Sequence, residues 1–102
     1  MRITLVEKIG LDGKICSKSA FILKKLQKSG LLAQIDRIIF ADERDIHSEG
    51  FALATQYQVE NIPFFLIIYQ DGTTKTYTTY YQLVNEFLSQ KTSNTEEREY
   101  NN

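Results

Sequence analysis

The most restrictive feature of the chain is an apolar run, Ile62 to Tyr69, that holds the only proline at its second position and is followed closely by Asp71-Gly72. It is far shorter than the roughly 18 consecutive apolar residues a membrane span needs, and it suits a buried internal strand. Proline donates no ladder hydrogen bond, so Pro63 needs a reason to stand directly before that strand. It either starts the strand as an ordinary trans residue or forms a cis junction. Asp71-Gly72 is a two-residue hairpin signal, and the threonine-rich stretch Thr73 to Thr79 is its return strand.

Other elements follow from hydrophobic period. Arg2 to Glu7 alternates β-branched and polar residues and reads as a strand. The glycines and aspartate of Ile9-Gly10-Leu11-Asp12-Gly13 form a loop leading to Cys16. From Ser17 the period becomes helical, with Ala20, Ile22, Leu23 and Leu26 on one side and lysines largely elsewhere. Gly30 suits a left-handed cap for that helix, and lysines near its end complement the helix dipole. Arg37 to Ala41 reads as a short buried strand, followed by a solvated acidic loop. Ser48 is an N-cap for a helix carrying Phe51, Leu53, Ala54 and Tyr57, which Gly50 weakens slightly. Leu83, Val84, Phe87 and Leu88 define a last helix over about Tyr81 to Gln90. Lys91 to Asn102 is polar, lacks apolar period and is expected to be a disordered tail. The order β-α-β-α-β-β-α gives a mixed four-stranded sheet with helices on both faces in one α/β domain, residues 1–90.

Composition is that of an ordinary globular chain: 102 residues, 42% hydrophobic and 25% charged, with a net charge of −1 that argues against nucleic-acid binding. The charge is nonetheless polarised. Residues 1–41 hold eight basic and three acidic side chains, whereas 42–72 hold one and six. The start of the chain lacks the layout of a secretion signal, and no apolar stretch spans a membrane, so the expected setting is cytoplasmic. A single cysteine excludes an intramolecular disulfide and cysteine-rich zinc sites, and no metal is expected.

Cys16 is therefore either a small buried apolar residue or chemistry. The crossover connection places it where the first helix starts, at the carboxyl edge of the sheet. Unpaired N–H groups and the helix dipole there stabilise a thiolate and lower its pKa from roughly 8.5. Lys14 and Lys18 add positive potential, and the Ser17 and Ser19 hydroxyls are potential donors to the sulfur. His47, the only histidine, belongs to the acidic loop and is read as a surface residue. Glu7 ends the first strand beneath the site and is either a group that mediates proton transfer or, as is commoner, a partly exposed carboxylate at a strand end. Tyr77, Tyr80 and Tyr81 form either an adhesive patch or part of the core.

Cys16-Ser17-Lys18-Ser19 after the first strand, Tyr57 to Pro63 before the hairpin strand, and Asp71-Gly72 together resemble the thioredoxin-like superfamily over about residues 2–90. The resemblance implies a thioredoxin-like fold, with Cys16 as the attacking cysteine and Ile62-Pro63 as the family's cis-proline pair. Ser19 then stands where dithiol members carry the resolving cysteine, giving a monothiol Cys-x-x-Ser site. Ser17 and Lys18 replace the family's Gly-Pro dipeptide and, with Ile62 and Pro63, line the expected substrate site. A serine hydroxyl cannot release a mixed disulfide by internal attack, so an external thiol must do so. The Cys-Gly-Phe-Ser site and Gly-Gly region of monothiol glutaredoxins are absent, so neither glutathione nor an iron–sulfur cluster is implied, and no cofactor is expected. The tetrapeptide is also similar to that of glutaredoxin-type arsenate reductases, but Ala20 stands where those enzymes carry an arginine.

The expected function is thiol–disulfide exchange with protein thiols or disulfides as partners. The alternative is a non-catalytic protein-binding module on the same fold, in which Cys16 is incidental.

Overall fold

The structure is a computed structural model that describes residues 1–100, with side chains described through Gln90. Four strands, β1 (Arg2–Ile9), β2 (Arg37–Asp42), β3 (Phe64–Ile68) and β4 (Thr74–Tyr77), alternate with helices α1 (Ser17–Ser29), α2 (Glu49–Gln56) and α3 (Tyr80–Tyr100). The strands form one sheet in the order β2-β1-β3-β4. β1 runs parallel to β2 and antiparallel to β3, and β3 runs antiparallel to β4. This is the mixed α/β sheet and the β-α-β-α-β-β-α order expected from the sequence, in a thioredoxin-like layout.

Alternation along β1 and β3 divides the core into two layers. Ile3, Leu5, Phe65 and Ile67 pack with Ile22, Leu26 and Leu83 on the face covered by α1 and α3. Val6, Phe64 and Leu66 pack with Ile39, Ala41 and Ala54 on the face covered by α2. Each large side chain buried this fully contributes about 1.5–3 kcal/mol of transfer free energy. The apolar run after Pro63 is continuous because β3 is an internal strand covered on both faces.

Several local readings change. β1 continues two residues past Glu7, and a short 3-10 turn, Leu31–Gln34, leads from α1 toward β2. Gly30 caps α1 at φ 76°, as its position suggested. The hairpin loop holds three residues, Gln70, Asp71 and Gly72, rather than two: Tyr69 N–H donates to the Thr73 carbonyl at 2.9 Å. Gly72 supplies the left-handed residue, at φ 86°. Gly50 is the contact that seats α2 on β2, since a Cβ there would run into the Phe40 carbonyl and the Ala41 nitrogen.

The tyrosines near β4 divide between packing and exposure. Tyr77 Oη donates to Glu86 Oε2 at 2.7 Å, and Tyr69 Oη donates to the other oxygen of the same carboxylate. Glu86 is buried, so these bonds fasten α3 to the hairpin, while Tyr81 remains exposed. The α3 backbone continues to Tyr100, past the expected end at Gln90. The disordered tail expected over 91–102 falls on residues whose side chains, and for Asn101 and Asn102 the backbone also, lie outside the described residues.

Candidate functional site

The loop between β1 and α1 fixes the position of Cys16. Gly10 N–H donates to the Lys14 carbonyl at 2.8 Å, Ile9 bridges to Ile15, and Gly13 turns the chain at φ 77°. Cys16 N–H then donates to the Lys8 carbonyl at 2.9 Å, tying the residue to the end of β1. Cys16 is the N-cap of α1, with extended backbone and no capping hydrogen bond from its side chain. The first turn carries no acidic residue to compete for the helix's positive end. The sulfur belongs to a half-buried residue, neither sealed in the core nor fully open.

Behind it lies Ser19, fully buried. Its Oγ accepts the Lys8 N–H at 2.9 Å and lies 3.2 Å from Cys16 Sγ, with the thiol as donor. Ser19 thus joins the first turn of α1 to β1 and contacts the sulfur directly. Its hydroxyl proton is not used by the Lys8 bond.

Glu7 corrects the sequence reading. It is wholly buried, and neither carboxylate oxygen has a hydrogen-bond partner. Burial pushes its pKa from 4.5 up to about 7. The nearby Ser19 hydroxyl works in the opposite sense, although its geometry falls short of a hydrogen bond to either oxygen. The reason for the burial is that β1 does not end at Glu7. Ile3 and Leu5 pack beneath α1, and Glu7 follows them at the strand's period of two, which places it on the same face. That parity was present in the sequence, and a strand extended by two residues would have revealed it.

The Ile62–Pro63 bond is cis. Ile62 and Asn61 border a depression of about 380 Å³ together with Cys16, Ser17 and Lys18. Lys8, Glu43 and Glu60 complete it, and Lys8 pairs with Glu43 at 2.9 Å. Pro63, which is buried, contributes instead to an adjoining groove of about 470 Å³ that shares Ser17, Lys18, Asn61 and Ile62. Cys16, Ser17, Lys18 and Ile62 therefore meet at one opening, Pro63 lies next to it, and Ser19 stands behind the sulfur.

Other charged groups lie apart from this opening. His47 is exposed, and its backbone N–H donates to Asp45 Oδ1 at 2.9 Å. Arg44 forks onto Asp42, holding that carboxyl below its ordinary pKa, and Arg37 pairs with Glu49. The cations beside Cys16 are thus Lys8 and Lys18 rather than arginines. Among the described residues, no three His, Cys, Asp or Glu side chains converge to hold a metal ion. Nor, among them, is any helix long and apolar enough to cross a membrane.

Compared with known proteins, the chain matches no family model, no curated protein and no solved structure.

Proposed function

We propose that the chain is a monothiol thiol–disulfide exchange protein of thioredoxin type. The Cys16 sulfur, as thiolate, attacks one sulfur of a substrate disulfide. A Cys16–substrate S–S bond forms as the original S–S bond breaks, and the electron pair leaves on the second substrate sulfur. An external thiol then attacks the mixed disulfide, releases the substrate as a thiol and takes its place, and a second external thiol returns Cys16 to its reduced form. The substrates are protein disulfides, and Ser17, Lys18, Ile62 and Pro63 form the surface that receives them.

The observation that carries this reading is the contact at the sulfur: half-buried Cys16 caps α1 at an opening it shares with Ser17, Lys18 and Ile62, and buried Ser19 lies 3.2 Å from its Sγ. Wholly buried Glu7, on the neighbouring strand, lies close enough to Ser19 for that hydroxyl to act on its carboxyl. Glu7 is a positioning residue here, a proton reservoir close to the Ser19 hydroxyl that touches the sulfur, although no hydrogen bond joins Glu7 and Ser19. A group with a pKa of about 7 can hold or yield a proton at neutral pH with little free-energy penalty.

Thiol trapping tests the proposal. The reduced chain is expected to form a mixed disulfide with an aromatic disulfide reagent and to lose the adduct when excess small thiol is added. Cys16→Ser is expected to form none. If Cys16 is alkylated by iodoacetamide at neutral pH no faster than free cysteine, the exchange reading fails. The binding-module reading would then remain, supported by the 470 Å³ groove alone.

A further inference from the structure

The groove beside the Cys16 opening has a distinct chemistry of its own. Along α1, Lys18, Phe21, Ile22 and Lys25 recur at helical spacing and line one wall, and Tyr81 and Pro63 lie among the residues of the rest. Phe21 and Tyr81 are both more than half exposed, at 58% and 66%, so the aromatic surface is open to a ligand.

Lys25 is held among three rings. Its Nζ lies 4.9 Å from the Tyr81 centroid, 5.1 Å from Phe21 and 5.4 Å from Tyr80, and it donates to Tyr81 Oη at 3.1 Å. Cation–π contacts and one phenol hold the ammonium in place, but they do not neutralise it. The ion pairs formed among the described residues use Lys8, Arg37 and Arg44, and no carboxylate lines the groove. An apolar trough that contains two cations and no anion is complementary to an anionic ligand with apolar flanks.

Resting on the exchange reading above, we propose that the preferred substrate is a disulfide in an extended acidic peptide segment, with an apolar or aromatic residue next to a carboxylate. Spacing along α1 sets where that carboxylate lies. Lys25 is nine residues from Cys16, roughly 13 Å at about 1.5 Å per residue. About four residues of extended peptide cover that distance at roughly 3.3 Å each. The acidic residue therefore sits about four positions from the target cysteine, with the apolar residue between them against Phe21 and Tyr81.

The test uses synthetic peptides with one cysteine, activated as a mixed disulfide with thionitrobenzoate, and leucine two positions away. Glu, Gln or Lys occupies the fourth position, on either side of the cysteine in separate sets. Release of the coloured thiol reports the rate. In one of the two sets, the Glu peptide is expected to react about two- to fivefold faster than the Gln peptide at low salt, and the Lys peptide more slowly than both. The preference should shrink in 1 M salt, where the screening length falls to about 3 Å. Lys25→Glu should invert the order of Glu and Lys peptides, and Lys25→Gln should flatten it. Equal rates for all three peptides in both sets, with the free aromatic disulfide still reacting, overturn the acidic-segment proposal and leave the exchange chemistry standing. No reaction with the small disulfide either overturns the exchange reading beneath it.

Discussion

Replacing Glu7 with Gln keeps the side chain's shape and removes its titration, which isolates the cost of burying this carboxyl. In the folded chain the pKa is raised from 4.5 to about 7. At about 1.4 kcal/mol per unit, the difference comes to about 3 kcal/mol. The sign follows from proton binding. Between those two pH values the folded chain holds a proton on Glu7 that the unfolded chain has released, so rising pH favours unfolding. The native state keeps its full stability below about pH 4.5, loses it progressively up to about pH 7, and is about 3 kcal/mol poorer above that. Urea denaturation of wild type and Glu7→Gln at pH 5 and pH 8 is the assay, with the difference in unfolding free energy as the readout. Every other titrating group is common to both proteins, so its contribution cancels. Whatever the amide itself costs is the same at both pH values. Wild type should lose about 2–3 kcal/mol relative to Glu7→Gln on going from pH 5 to pH 8. Parallel behaviour of the two proteins would show that Glu7 is hydrated or paired in solution, and the proton-reservoir role would fall with it.

Other substitutions probe the fasteners of the fold. Gly50→Ala should cost about 1–3 kcal/mol or more, because the new Cβ meets the backbone of Phe40 and Ala41 rather than a side chain that can turn aside; a lowered urea midpoint at unchanged slope is the check. Glu86→Gln should cost about 1–3 kcal/mol, since an amide accepts with one oxygen where the carboxylate accepts from both Tyr69 and Tyr77. Its pH dependence should run opposite to that of Glu7. The tyrosine hydroxyls hold the Glu86 carboxyl below its ordinary pKa despite burial. Its contribution is therefore present above pH 4.5 and is lost as the pH falls through its lowered pKa in the folded chain, so the difference between wild type and Glu86→Gln should narrow as the pH drops below 4.5.

The fold was legible because its elements are marked by period and punctuation together. β3 is a run too short to be a helix, bounded by a proline and a turn. α1 changes the period from two to 3.6 directly after the Cys16 loop and stops at a glycine that takes the left-handed conformation. Gly50 was readable only as a weak helix former, because propensity describes a helix in isolation. The opposite conclusion holds once α2 is laid on β2, where the absence of a side chain permits the contact. The hairpin was placed correctly but its loop was short by one residue, since Asp-Gly serves a three-residue loop as well as a two-residue one.

The site was legible where one residue decides the matter and obscure where two elements meet. The place of Cys16 follows from the end of a strand pattern and the start of a helix pattern. The face that Glu7 takes follows from the period of β1, but the partnership of Ser19 with Lys8 and the closeness of Glu7 to Ser19 depend on how closely α1 lies on β1, which no local pattern states. The two buried residues at the site differ in a way that bears on chemistry. Ser19 has its polar demand met by a backbone N–H, so it costs little and holds geometry. Glu7 has nothing to accept from, so it is stable there chiefly as a neutral acid. Folding alone would favour a leucine at that position, continuing the apolar sequence of Ile3 and Leu5. A buried acid without a partner, close to the serine that touches a half-buried thiol, is a local violation of the packing rules that govern the rest of the sheet. Such violations are expected where a chain gives up stability for function. Comparing Glu7→Leu with wild type would separate the two demands: a gain in stability above pH 7 with a loss in the pH dependence of Cys16 exchange is the outcome this reasoning requires.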